Sequence, residues 1–172
     1  SGAFSGSALF THRAENLRDG TLRFSVAAKG ANLSLLRPTL ALPGTVEGVL
    51  DGQFRGALTL ANGSASLAEL QGKAATRRLL WKGKDLGQLA ATAATESGTL
   101  AVALDGRAFG VQVKAAASVA LERGYPVWGE ASFARVTLAD LGPWLKLAGV
   151  PAPPLDASAD GRVYLSGSLA QP

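Results

Sequence analysis

The chain contains no cysteine and no methionine. Without cysteine there is neither a disulfide framework nor a thiolate metal site, and the redox compartment is left undefined. His12 is the single histidine, and no G-x-S-x-G elbow, phosphate-binding glycine loop or metal-ligand spacing accompanies it. His12 therefore reads as a surface or strand-edge residue, and the expectation is a chain that is not an enzyme and carries no metal or other cofactor. Charge is also scarce, at 17% of residues, well below the usual quarter or so of a globular domain. Yet no apolar run approaches the roughly 18 residues that a membrane-spanning helix needs. Aromatic residues make up 6%, too few to supply the stacking platforms of single-strand nucleic-acid binders, so nucleic acid is not an expected partner. The start, Ser1-Gly2-Ala3-Phe4-Ser5-Gly6, has no initiator methionine and no signal-peptide order of basic then apolar residues, which reads as a piece of a longer protein.

What is present is aliphatic and rich in glycine: 47% hydrophobic residues and 21 glycines in 172 positions. That length suits one domain. The net charge of +4 is spread along the chain, with one local cluster at Arg77, Arg78, Lys82 and Lys84 that reads as a solvated strand and turn. Period-two alternation dominates, and it predicts strands with one apolar face. Leu22, Phe24 and Val26 alternate with Thr21, Arg23 and Ser25, Leu58 and Leu60 flank Thr59, and Leu100, Val102 and Leu104 alternate with Thr99, Ala101 and Ala103. The longest such run, Phe109 to Leu121, predicts a strand of about 13 residues with Val111, Val113 and Val119 on one side.

Asp19-Gly20, Asp51-Gly52, Asn62-Gly63, Asp105-Gly106 and Asp160-Gly161 carry the residue types of tight hairpin turns, so neighbouring strands are expected to pair antiparallel. Two proline-bearing segments, Asn32 to Gly44 and Thr137 to Gly149, break the alternation, and the spacing of Leu138, Leu141 and Leu145 predicts a short helical turn. The same segments open an internal repeat, 32–60 and 137–165, at an offset of 105 residues. Leu33, Leu36, Pro38, Leu40, Leu42 and Gly44 meet Leu138, Leu141, Pro143, Leu145, Leu147 and Gly149, and Leu50, Asp51, Gly56 and Leu60 meet Leu155, Asp156, Gly161 and Leu165. A single repetitive β unit over 1–172 follows, with a module longer than that of common solenoids.

The phrase Leu33-Ser34-Leu35-Leu36-Arg37-Pro38-Thr39-Leu40, leading to Pro43-Gly44-Thr45-Val46-Glu47-Gly48-Val49-Leu50-Asp51-Gly52, resembles the recurring module of the TamB and AsmA-like families. The closing Gly161-Arg162-Val163-Tyr164-Leu165-Ser166-Gly167-Ser168-Leu169-Ala170-Gln171-Pro172 resembles it again, and Leu79-Leu80-Trp81-Lys82-Gly83-Lys84-Asp85-Leu86-Gly87 and Gly124-Tyr125-Pro126 are similar to family connectors. The resemblance implies a mainly β fold: a long antiparallel-rich sheet curled into a half-pipe or β-taco groove, apolar inside. It further implies a periplasmic segment of a protein anchored in the inner membrane, carrying phospholipid towards the outer membrane. The implied partners are phospholipid acyl chains, neighbouring repeats of the same chain and an outer-membrane β-barrel assembly protein.

On that reading the groove is lined by Leu22, Phe24, Val26, Leu58, Leu60, Leu100, Val102, Leu104, Val111, Val113, Val119, Val163 and Leu165. These residues make an aliphatic wall with few aromatics, suited to hydrocarbon chains. Taken alone, the same alternation serves equally well as the packing face of a β-sandwich. A scaffold that templates another β protein by strand addition, and a structural β-repeat stalk, also stay open. The nearest carboxylate pairs, Asp156 with Asp160 and Glu47 with Asp51, lie among Gly and Ala and read as turn and cap residues. Trp81, Trp128 and Trp144 lie far apart in sequence and read as rim or packing residues.

Overall fold

Alternation of side chains above and below a pleated backbone lets one strand offer an apolar face and a polar face at once. Among the described residues the chain repeats this arrangement nine times. The computed structural model describes residues 2–13, 16–36, 46–81, 83–108, 110–137, 142 and 158–169. Its strands are β1 (Ala3–Arg13), β2 (Asn16–Asn32), β3 (Val46–Ala61), β4 (Ser64–Trp81), β5 (Lys84–Glu96), β6 (Thr99–Ala108), β7 (Val111–Ala120), β8 (Pro126–Thr137) and β9 (Ser158–Ser168). They form one sheet in sequence order, each strand antiparallel to the next. The sheet is curled but not closed, and among the described residues β1 and β9 are its two edges. Among the described residues no second layer covers it; a 3-10 turn, Leu33–Leu36, sits beside β2 and β3.

The hairpins use glycine where the backbone must turn left-handed. Asn62 (φ 51°) and Gly63 (φ 77°) link β3 to β4, and Ser97 (φ 49°) and Gly98 (φ 75°) link β5 to β6. Positive φ at both central positions marks the two-residue turn whose twist matches that of its strands. Gly110 (φ 85°) lies between β6 and β7.

Four of the five expected turns are not turns. Asp19-Gly20 lies inside β2, Asp51-Gly52 inside β3, Asp105-Gly106 inside β6 and Asp160-Gly161 inside β9. The alternation continues through each pair, placing the Asp on the outer face and the Gly on the inner one. There the glycine makes room for a neighbour. A Cβ at Gly20 would stand 2.7 Å from a Phe10 ring carbon, one at Gly106 would stand 2.8 Å from the Leu89 Cα, and one at Gly161 would run into the Phe133 ring.

Other expectations are adjusted as well. The strand predicted over Phe109 to Leu121 runs from Val111 to Ala120, and Leu121 donates its backbone N–H to the Gly98 carbonyl at 2.8 Å. Of the first proline-bearing segment, Leu33–Leu36 is a 3-10 turn and 37–45 lies outside the described residues. Of the second, Thr137 closes β8 and Gly142 is helical, the remainder lying outside the described residues.

The register also refines the internal repeat. A register shift between Ala28 and Ala31 in β2 has its counterpart between Phe133 and Val136 in β8, an offset of 105. The partner strands differ: Gly52 faces Ala28, whereas Gly161 faces Phe133. Asp51-Gly52 thus corresponds in place to Asp160-Gly161, at an offset of 109, so the chain between the facing residues Phe133 and Gly161 is four residues longer than that between Ala28 and Gly52.

A candidate apolar groove

Directly opposed residues of an antiparallel pair point to the same side, so the register assigns every paired residue to a face. All thirteen residues expected to line a groove fall on one face: Leu22, Phe24 and Val26 on β2, Leu58 and Leu60 on β3, Leu100, Val102 and Leu104 on β6, Val111, Val113 and Val119 on β7, and Val163 and Leu165 on β9. The pairs Leu22–Leu58, Leu100–Val119 and Gly106–Val113 are direct cross-strand neighbours. Val102 and Leu165 are joined through Ala117 and Gly129, and Leu104 and Val163 through Ala115 and Ala131.

From Leu22–Ala28 of β2 to Gly161–Gly167 of β9, every paired inner position is Gly, Ala, Val, Leu, Phe or Thr. The charges stand on the other face, among them Arg23, Asp51, Arg55, Glu69, Lys73, Asp105, Arg107, Lys114, Glu130 and Arg162. Across β5 to β7 alanine reports a difference in shielding. Ala93 is 9% exposed on the inner face and Ala91, Ala115 and Ala117 are half-buried there, whereas Ala90, Ala94, Ala101, Ala103 and Ala116 on the outer face are exposed; on β3 the outer Ala57 is itself buried between Arg23 and Glu69.

The two inner threonines spend their hydroxyls on the backbone. Thr76 Oγ1 accepts from Leu89 N–H at 3.0 Å and donates to the Leu89 carbonyl at 3.3 Å. Thr95 Oγ1 treats Leu70 in the same way, at 3.0 and 3.2 Å. These bonds stitch β4 to β5 beyond their shared ladder and keep the inner surface effectively apolar.

Sequence reasoning missed the floor of this face. Two adjacent rows cross the strands at right angles. One runs Phe54, Gly72, Ala93, Val102, Ala117, Gly129, and the other Gly52, Ala74, Ala91, Leu104, Ala115, Ala131. Nine of these twelve positions are Gly or Ala. Larger residues flank them: Leu50, Leu89, Val113 and Phe133 on one side, Leu70, Leu100, Val119 and Val127 on the other. The result is a shallow trough across the strands, and with neighbours about 4.8 Å apart the nine strands span about 38 Å. Its β6–β9 part holds a cavity of about 400 Å³ lined by Val102, Leu104, Ala115, Ala117, Gly129, Ala131, Val163 and Leu165 with their strand neighbours. The signal for the floor was the recurrence of Ala and Gly at alternate positions, visible only once the register aligns the strands.

Phenylalanines sit over glycines on this face. Phe24 faces Gly56, Phe54 faces Gly72 and Phe133 faces Gly161, while Phe10 reaches Gly20 diagonally. A flat ring lying on a bare backbone covers the ladder and keeps the trough low.

The outer face is held by polar clamps. Asp51 accepts from Gly30 N–H at 2.8 Å and from Arg77 Nε and Nη2 at 2.6 and 2.9 Å. Hydrogen bonding to Arg77, then to Gly30, lowers its pKa from 3.8 to about 2. Both partners stand at irregularities of the flanking strands, so one carboxylate pins β2 and β4 to β3. Asp105 accepts from Gln112 Nε2 at 2.7 Å, with Lys114 at 3.8 Å. A second concavity, about 560 Å³, lies on this side between Ser25, Gln53, Arg55, Gln71, Lys73 and Thr92; the Arg55 guanidinium there is engaged by Gln71 Oε1.

The remaining candidates are dispersed. His12 is exposed on edge strand β1 with its ring 5.5 Å from that of Phe10. Trp128 is exposed on the outer face of β8, Asp156 and Trp144 lie outside the described residues, and Glu47 and Asp51 share β3, where Asp51 serves as the clamp. Among the described residues no group of three His, Cys, Asp or Glu side chains is placed to hold a metal ion. No family model, no curated protein and no solved structure matches this chain.

Proposed function

We propose that the inner face carries phospholipid, with acyl chains lying in the trough and head groups in water along the open side. One observation carries the reading: in the rows between Leu22–Ala28 and Gly161–Gly167 a single sheet presents an uncharged, hydroxyl-satisfied face across eight strands, and no described layer buries it. An apolar sheet face normally buries against a second layer. Of the thirteen residues, Val163, Leu165 and Val26 remain 58%, 64% and 44% exposed, eight are half-buried, and Leu100 and Val111 are buried between their neighbours; covering the exposed part with hydrocarbon yields roughly 25 cal/mol per Å². The Gly and Ala floor leaves depth for an acyl chain, and the aliphatic flanks bind it without directional chemistry, which suits a ligand that slides. The proposed role makes and breaks no bond. The resemblance to TamB-like proteins supports extending this reading to a periplasmic conduit between the two membranes that works beside an outer-membrane β-barrel assembly protein.

The test is binding of a fluorescent fatty-acyl probe to the chain and to Val113→Asp. A carboxylate on the wall must stay hydrated or take up a proton, and either disfavours hydrocarbon beside it. The expected result is at least tenfold weaker binding by Val113→Asp with an unchanged far-ultraviolet spectrum. Equal binding by the folded variant overturns the proposal.

A further inference from the structure

Among the described residues strand β1 is an edge of the sheet, with little to deter another strand. Between Ala3 and Thr11 it has no charged residue, no proline and no register shift; the one irregularity falls between His12 and Arg13. Edge strands are ordinarily blunted by such features. The opposite edge, β9, carries Asp160 and Arg162 within its span. Large apolar side chains on β1 are exposed, Phe4 at 47% and Leu9 at 65%.

The β1 sequence is also close to symmetric about Ser7. Reversed and laid against itself, it sets Phe4 opposite Phe10 and Gly6 opposite Ala8 on the inner face. On the outer face it sets Ala3 opposite Thr11, Ser5 opposite Leu9, and Ser7 opposite Ser7. Each pair keeps to one face, and none joins like charges. We propose that β1 is a self-recognition edge, at which a second copy of this chain adds its own β1 antiparallel, centred on Ser7. The two copies are then related by a two-fold axis through the joint, as isologous pairing requires. Because even-numbered residues meet even-numbered residues, the inner faces lie on the same side, and the trough continues across the joint to about 80 Å at the usual strand spacing. This does not depend on what the trough carries.

The absence of cysteine makes the register directly measurable. Facing residues of an antiparallel pair have Cα atoms about 4.5 to 5.5 Å apart, within disulfide range. The Ser7→Cys chain is expected to form a covalent dimer rapidly under mild oxidation, and Ser166→Cys on β9 to do so slowly. Sedimentation of the native chain is expected to show a concentration-dependent dimer. A Ser5→Lys/Leu9→Lys chain sets like charges opposite each other, as does a Ser5→Glu/Leu9→Glu chain; each alone is expected to be monomeric, and the two mixed are expected to pair again. Three results overturn the proposal: a native chain that stays monomeric at every concentration, Ser166→Cys linking as fast as Ser7→Cys, or oppositely charged chains that fail to pair. Preferential linkage of a Ser7→Cys chain to a Ser166→Cys chain overturns it too, showing head-to-tail addition instead.

Discussion

Asp51 shows how one side chain sets local shape. Its carboxylate reaches Gly30 on β2 and Arg77 on β4, and these hydrogen bonds hold its pKa at about 2, below the ordinary 3.8. A depressed carboxylate contributes stability that is present above its unfolded pKa and is lost as pH falls through its folded one. Urea midpoints are therefore expected to drop between about pH 4 and pH 2 in the native chain, and Asp51→Asn to lose that part of the slope. The inner glycines make the complementary point. A Cβ at Gly56 would stand 2.5 Å from the Glu69 carbonyl oxygen and 2.8 Å from Phe24 Cζ, so Gly56→Ala is expected to cost about 1 to 3 kcal/mol by crowding the β4 backbone and the ring, read as a lower urea midpoint at constant slope. Neither role was legible in the sequence. Asp-Gly has the same residue types in a turn and in a strand, and what separates them is the close approach of the neighbouring strand to the glycine, its backbone and Ala74 at Gly52 and a Phe or Leu at Gly20, Gly106 and Gly161.

At the scale of elements, what could be read depended on distance along the chain. Alternation is local, so the faces of β2, β3, β6, β7 and β9 were assigned correctly from residues two apart. The Asn62-Gly63 turn was also legible, because it interrupts the alternation. Asp105-Gly106 does not, and the link between β6 and β7 lies after Ala108 instead. The hairpins give a test of this distinction. Gly63 has φ 77° with open space around it, so Gly63→Ala is expected to cost about 1 kcal/mol through backbone strain alone, whereas a Cβ at Gly106 would run into the Gln88 carbonyl oxygen and stand 2.8 Å from Leu89 Cα, so Gly106→Ala acts through contact with the β5 backbone. Gly106→Ala is expected to lower the urea midpoint more than Gly63→Ala does, and shortening the Leu89 side chain is expected to relieve neither in a double-mutant cycle. The register shifts in β2 and β8 lie 105 residues apart, whereas Gly52 and Gly161 occupy their places beside those strands at an offset of 109, a difference that an ungapped alignment cannot carry.

For the molecule as a whole, the trough emerges only when nine strands are aligned. Its floor combines residues from β3 to β8 that no local pattern links, so composition revealed abundant Gly and Ala without their place. The proposal that this face holds acyl chains makes a positional claim, and photo-crosslinking to a radiolabelled phospholipid tests it most directly. Photoreactive residues are placed one at a time at Leu104 and Val113 on the inner face and at Asp105 and Lys114, their chain neighbours on the outer face. The expected result is strong labelling from Leu104 and Val113 and little from Asp105 and Lys114. Equal labelling from both faces, or none from the inner one, contradicts the proposal.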